Sequence, residues 1–282
     1  MTNKQDNMNI VFSINKNYIN LLCISITSLL ENNHNRQINI YILHAELNSK
    51  NQKKIKRLEK FYNNLKIYFI LIDKNNFKNF KLNIKYISLE TYFRFLIPDI
   101  LQENKCLYLD ADTLTIKNLS ELYNTDISEY YCAGCNDLFI EHIDYKKEIG
   151  LSKENLYINA GVILFNLEKM RQNQISNLLL HNTEKYSNII KYQDQDVLNI
   201  TCKNHILKVD SIYNYTSFCM EKEKDKANNV AILHYTGSAK PWQFKYKGKF
   251  KNPWLFYKRK YKNLSCNKIY CFFKELYHQL TN

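Results

Sequence analysis

The chain has 282 residues, of which 45% are hydrophobic and 24% charged, which excludes disorder and is enough for one large domain with a full core. Its net charge of +13 is unevenly placed: from Lys240 to Asn282, 11 Lys and Arg face one acid, Glu275, so this stretch carries +10 and the body before it is close to neutral.

"NIVFSI" (Asn9–Ile14) reads as a buried strand and Tyr18–Glu31 as the helix after it. "INIYIL" (Ile38–Leu43) is a second strand, Ser49–Tyr62 an amphipathic helix, and "KIYFILI" (Lys66–Ile72) a third strand. Near-continuous apolar strands alternating with helices imply a mostly parallel sheet covered on both faces. Over Ser88–Leu101, Leu89, Tyr92, Phe93, Leu96 and Ile100 fall at helical spacing, with Arg94 off that stripe and Pro98 kinking or ending the helix. "KCLYL" (Lys105–Leu109) is the fourth apolar strand. Tyr130–Cys135 and Tyr157–Leu167 are further strands, Gln174–Tyr192 and Asp194–Cys202 helices, Glu221–Lys226 a solvated loop, and Val230–Gly237 a last buried strand.

The longest apolar run, Ile19–Leu30, is too short for a spanning helix, which needs roughly 20 residues. The polar N-terminus shows no signal peptide. Of the eight cysteines, Cys23, Cys106, Cys202 and Cys219 sit in apolar runs as small hydrophobes, and Cys132/Cys135 form a lone CxxC without the second half of a zinc site. The chain is therefore expected in a reducing, cytoplasmic compartment.

The chemistry concentrates where the fourth strand stops. Asp110 and Asp112 are two residues apart on extended chain, so their carboxylates can point the same way. Left bare they repel; a divalent cation removes the conflict. The bland reading is one Asp capping a turn and the other in water. A haloacid-dehalogenase-type phosphotransferase also places DxD after a buried strand, but its motif runs on as Gly-Thr, whereas Thr113-Leu114 follows here. Oxygen ligands suit Mg²⁺ or Mn²⁺, and an imidazole in the set favours Mn²⁺. His234, ending the last strand in "AILHYTGSAKPW", is either that ligand or a hydrogen-bonded core residue. Gly237 and Lys240 beyond it offer open backbone and a positive charge, which together with a metal suit a diphosphate. "NAGV" (Asn159–Val162) lets a ligand pass close over Ala160 and Gly161, or is simply a tight strand crossing. In "YQDQD" (Tyr192–Asp196), N-capping by Asp194 leaves Gln195 and Asp196 unexplained.

The segments "NIVFSINKNY", "LETYFRFLIPDIL", "CLYLDADTL", "NAGVILFNL", "YQDQDVLN" and "HYTGSAKPW", in this order over about Met8 to Trp242, resemble the family 8 glycosyltransferases, nearest their bacterial lipooligosaccharide galactosyltransferase/glucosyltransferase branch. The resemblance implies a retaining enzyme of the GT-A type, an α/β fold with a Rossmann-like, mostly parallel sheet and helices on both faces. It implies a domain over 1–240 followed by a basic, aromatic membrane-association segment over 241–282.

Residue by residue, it implies Asp110, Asp112 and His234 as Mn²⁺ ligands, with Mg²⁺ as the substitute. Ser13, Asn15, Asn17 and Tyr18 fall at the nucleoside. Arg94, Ala111, Asn159, Ala160, Gly161, Asp194 and Gln195 surround the donor sugar and diphosphate, and Gly237 and Lys240 clamp the phosphates. Tyr86, Tyr192 and Thr236 fall on the acceptor side, and Gln195, Asp137 and Asp196 at the catalytic centre. Asn15 stands where the bacterial members usually carry Asp. The implied reaction moves galactose or glucose from a UDP-hexose to a hydroxyl of a lipooligosaccharide- or lipopolysaccharide-type acceptor; a UDP-N-acetylhexosamine donor or a protein acceptor fits the same fold. Gln195 is a poor nucleophile, which favours front-face attack over double displacement.

The C-terminal segment interleaves cations with aromatics. It reads as a dock for an anionic membrane at the inner face of the cytoplasmic membrane, or as an appendage packed on the body. Nucleic acid, which such surfaces can also bind, is not an expected partner given the enzyme motifs.

Overall fold

The computed structural model describes residues 7–84 and 86–264. β1 (Met8–Ser13) leads through a short 3-10 turn (Lys16–Tyr18) into α1 (Ile19–Glu31). β2 (Ile38–His44), α2 (Ser49–Lys56) and β3 (Leu65–Leu71) follow. β1 pairs in parallel with β2 and β2 with β3. On the other side β1 pairs in parallel with β4 (Lys105–Leu109). The seven-stranded order is β3-β2-β1-β4-β7-β6-β8, with β6 at Cys132–Asn136, β7 at Ile158–Asn166 and β8 at Ile206–Val209. Only β7 runs against its neighbours β4 and β6, and β6 and β8 are parallel.

The continuous apolar strands follow from burial on both faces. Ile10, Phe12, Leu107 and Leu109 join one core with Leu22 and Ile26 of α1, while Val11, Cys106 and Tyr108 point into the other. That second core is closed by Phe93 and Phe95, and by Val197 and Leu198 of α8 (Gln193–Cys202). Each such side chain contributes about 1.5–3 kcal/mol by leaving water.

A second sheet, β5-β10-β9, sits beyond the end of β4. β5 (Thr113–Thr115) pairs antiparallel with β10 (Ile232–His234), which pairs in parallel with β9 (Tyr215–Thr216). These strands of two or three residues carry Asp112 and His234 to one place. The expected strand Val230–Gly237 is thus cut to its three central residues.

The expected helix over Ser88–Leu101 is two pieces: a 3-10 helix Leu89–Leu96 and a single turn, α3 (Ile97–Ile100), with Pro98 in its first turn. Pro98 opens the second piece because a first-turn N–H has no helical partner to lose. The expected helix Ser49–Tyr62 passes into a 3-10 turn after Lys56, and the one over Gln174–Tyr192 spans only Ile175–Lys185.

Beyond residue 240, residues 251–264 are helical. Trp254 and Tyr257 are buried against Ile24, Tyr215 and Tyr235 of the body. Asn32 donates to the Tyr257 hydroxyl (2.8 Å), and Lys260 pairs with Glu31. The same stretch exposes Phe244 (97%) and Phe256 (53%). Residues 265–282 of the basic segment lie outside the described residues. Among the described residues, six cysteines are free and buried, and no helix is long and apolar enough to cross a membrane.

Candidate active site

A cleft of about 540 Å³ opens beyond the carboxyl ends of β1 and β4, where ligands enter open α/β sheets. Its floor is the end of β4. The Asp110 N–H donates to the Gly161 carbonyl (2.8 Å), and the Tyr108 hydroxyl and Arg94 Nη2 donate to Asp110 Oδ1 (2.9 and 3.0 Å). Two residues on, Asp112 faces Lys240 Nζ (2.5 Å) and His234 Nε2 (3.3 Å). Burial alone would lift the Asp112 carboxyl; Lys240 first, then His234, outweigh it and hold it well below the usual carboxylate range. Burial works against the Lys240 charge, but Asp112 more than offsets it and raises that group.

Asp110, Asp112 and His234 present ligand atoms within 4.8 Å of one another. Two carboxylates and an imidazole nitrogen converging on one point form a hard-oxygen, one-nitrogen donor set that suits a divalent cation. Gly161 makes room for it: a Cβ there would lie 2.1 Å from His234 Cε1 and 2.9 Å from Asp110 Oδ2.

Arg94, only 3% exposed, clamps the wall. Its Nε pairs with Asp194 Oδ2 (3.0 Å), its Nη1 donates to the Ala160 carbonyl, and its guanidinium lies 4.2 Å from the Tyr108 ring centre. Thr91 donates to Asp194 Oδ1 (2.6 Å). Asp194 was expected to cap α8; it lies inside the helix instead, and its side chain serves Arg94. Burial lifts Asp194 to about 6 against the pull of Arg94.

Next to Asp194, Gln195 is fixed at both ends. Its Oε1 accepts from the Ala160 N–H (3.1 Å), and its Nε2 donates to Asp137 Oδ2 (3.0 Å) and the Tyr157 hydroxyl (3.3 Å). Asp137 also accepts from Asn159 Nδ2 (3.0 Å) and caps α5 (Leu138–His142) through Oδ1. A carboxylate so fully bonded serves as an anchor, not as a free nucleophile. Asp196 does not line the cleft: it is fully buried, accepting from the Tyr145 and Tyr157 hydroxyls and the Lys191 and Tyr192 N–H groups.

Ser13, Asn15 and Tyr18 line the cleft at the end of β1; Ala111, Ala160, Gly237, Tyr86, Tyr192 and Thr236 line other parts of it, the last three being those expected on the acceptor side. Asn15 caps the 3-10 turn by accepting from the Asn17 N–H (2.9 Å). Asn17 is exposed outside the lining, because its backbone, not its side chain, makes the turn. Gly237 has φ +80, a left-handed geometry that favours glycine.

Sequence reasoning missed Tyr108, Thr91, Phe139 and Phe218, all in the lining. Tyr108 had a signal: two residues before Asp110 on a strand, it shares that residue's face. Phe139 and Phe218, 5.9 Å apart at the rim, had none.

The family model for Glycosyl transferase family 8 matches residues 9–245. A putative glycosyltransferase of Haemophilus influenzae is 38% identical over 84% of this chain and 74% of its own length. The lipopolysaccharide 1,2-glucosyltransferase of Escherichia coli K12 is 27% identical over 85% of this chain and 74% of its own. The crystal structure of galactosyltransferase LgtC with donor and acceptor sugar analogues superposes with a TM-score of 0.81, at 29% identity, over 90% of this chain and 96% of that one.

Proposed function

The chain belongs to glycosyltransferase family 8, and from that premise we propose that it moves galactose or glucose from a UDP-hexose to a hydroxyl of a lipopolysaccharide-type acceptor, with retention at the anomeric carbon. The observation that carries this reading is the meeting of Asp110, Asp112 and His234 beside Lys240 in one cleft that Gln195 also lines. The sugars and acceptor named for the relatives support the choice of substrates.

The hard step is departure of UDP, because negative charge grows on the diphosphate as the sugar becomes cation-like. Asp110, Asp112 and His234 would hold Mn²⁺, which when bound supplies positive charge where the diphosphate gains negative charge. Lys240, kept charged by Asp112, adds a fixed cation at that edge. Ser13, Asn15 and Tyr18 take the nucleoside end. Gln195 presents a carbonyl dipole to the sugar side, with Asp137 and Tyr157 fixing its amide. The acceptor hydroxyl attacks on the face that UDP leaves: the sugar–phosphate C–O bond breaks, the new C–O bond forms, and the hydroxyl proton passes to a phosphate oxygen of UDP. Neither Asp137, bonded throughout, nor Asp196, outside the cleft, is free to form a glycosyl adduct.

The acceptor class places the reaction at the inner face of the cytoplasmic membrane, with residues 241–282 as the contact. Trp254 and Tyr257 hold the described part of this segment, up to residue 264, to the body, while Phe244, Phe256, Lys245, Lys247 and Lys249 are exposed. Incubation with UDP-galactose or UDP-glucose, Mn²⁺ and truncated lipopolysaccharide tests the reading. A product whose new linkage is α by NMR supports it; a β linkage, or a glycosyl-enzyme adduct trapped on Asp137 or Asp196, refutes it.

A further inference from the structure

We propose that Asn214 is a positioning residue that fixes the orientation and tautomer of His234 and ties the cation seat to Gln195; the inference rests on reading Asp110, Asp112 and His234 as that seat. Asn214 ends the 3-10 turn Ser211–Asn214, directly before β9, and is 1% exposed. A buried amide must satisfy both its ends. Its Oδ1 lies 2.8 Å from His234 Nδ1, and its Nδ2 donates to Asn159 Oδ1 at 3.0 Å.

The direction of this file of bonds is forced from both sides. Asn159 Oδ1 accepts from the Gly161 N–H (3.1 Å), so that atom is an oxygen, and Asn159 Nδ2 donates to Asp137 Oδ2 (3.0 Å). Only the amide nitrogen of Asn214 can face Asn159 Oδ1, so its oxygen faces the imidazole. An oxygen there requires the ring hydrogen on Nδ1. The lone pair is then on Nε2, the nitrogen that faces Asp112 Oδ1 at 3.3 Å. The opposite tautomer would turn an N–H into the seat.

The file continues beyond Asn159. Asp137 Oδ2 also accepts from Gln195 Nε2 (3.0 Å), which leaves Gln195 Oε1 for the Ala160 N–H and the cleft. His234, Asn214, Asn159, Asp137 and Gln195 thus form one hydrogen-bonded row: donation runs from the imidazole through both asparagines to the Asp137 carboxylate, which accepts from Gln195 on its other side. Partners that orient a metal-bound imidazole typically change metal affinity 10–100-fold when removed.

The test is Mn²⁺ binding by calorimetry with UDP present, in the full chain. Asn214→Leu keeps the volume and removes both bonds; its Mn²⁺ affinity falls about 10–100-fold, while metal-free UDP binding is unchanged. Asn214→Asp still offers an acceptor to Nδ1–H but sets a carboxylate against Asn159 Oδ1. It therefore binds Mn²⁺ more tightly than Asn214→Leu, yet at saturating Mn²⁺ its transfer kcat stays below wild type, because repulsion displaces Asn159, which positions the Asp137 carboxylate that Gln195 bonds. Where Asn214→Leu does not fold, Asn214→Ser, too short to reach either partner, carries the same expectation. Wild-type Mn²⁺ affinity in the Leu or Ser variant, or equal weakness in Leu and Asp, overturns the tautomer role. Wild-type kcat in Asn214→Asp overturns the tie to Gln195. Absence of Mn²⁺ binding by the wild type itself would instead refute the reading of the seat.

Discussion

Gly161→Ala alters the cation seat without substituting any of its three candidate ligands. The added Cβ would lie 2.1 Å from His234 Cε1, 2.8 Å from its Nδ1 and 2.9 Å from Asp110 Oδ2. Carbon atoms pack at about 3.5–4 Å, so the ring must retreat by roughly 1.4 Å or more. Metal sites tolerate about ±0.2 Å in ligand distance, so a displacement of that size dismantles the seat. Gly161 lies in mid-β7 away from the left-handed region, so the effect is steric and not a backbone effect. Overpacking of this kind costs about 1–3 kcal/mol. Calorimetry of Mn²⁺ binding with UDP present should show at least a tenfold loss, and thermal unfolding a lower midpoint. In a His234→Ala background the ring is gone, so the same Gly161→Ala step should cost less than half as much stability, a coupling a double-mutant cycle isolates. Mn²⁺ affinity within threefold of wild type, or an undiminished cost in the His234→Ala background, would refute the reasoning.

Arg94→Leu leaves Asp194 buried without its counter-charge, and urea unfolding should show a loss of about 3–5 kcal/mol; a loss under 1 kcal/mol would show that Asp194 takes up a proton or finds another partner. His44 is buried, accepts from the Leu47 N–H through Nδ1, and has its pKa lowered by burial. The unfolded chain therefore binds this proton more readily, and stability that is whole above the ordinary histidine pKa is lost as pH falls below it. His44→Asn keeps an acceptor and does not titrate, so its melting point should gain on wild type between pH 7.5 and 5.5; parallel curves would contradict this. Trp254→Ala should cost about 3–5 kcal/mol by emptying a packed site. Phe244→Ser, at 97% exposure, should leave stability within about 0.5 kcal/mol yet weaken flotation with anionic liposomes; unchanged flotation would remove Phe244 from the membrane contact.

The sequence carried the large sheet because β1, β2 and β4 are buried on both faces and so read as unbroken apolar runs. It also carried the Asp110/Asp112 pair, since a strand end is a fixed place in such a sheet. The second sheet was hidden: strands of two or three residues show no period, so nothing local marked Asn214 as a neighbour of His234. Helical spacing over Ser88–Leu101 does not separate the 3-10 helix at Leu89–Leu96 from an α-helix, because the two periods differ little over two turns. In "YQDQD", the 200° between Asp194 and Asp196 on a helix sends one to Arg94 and the other into the tyrosine-lined interior, a division composition does not show.

The most direct test of the central claim is UDP release from UDP-galactose and UDP-glucose, with and without Mn²⁺, in the wild type and in the Asp110→Asn/Asp112→Asn double variant. UDP should be released from one of these sugars only with Mn²⁺, and its release should be lost in the double variant. Release that survives metal chelation or the loss of both carboxylates would contradict it.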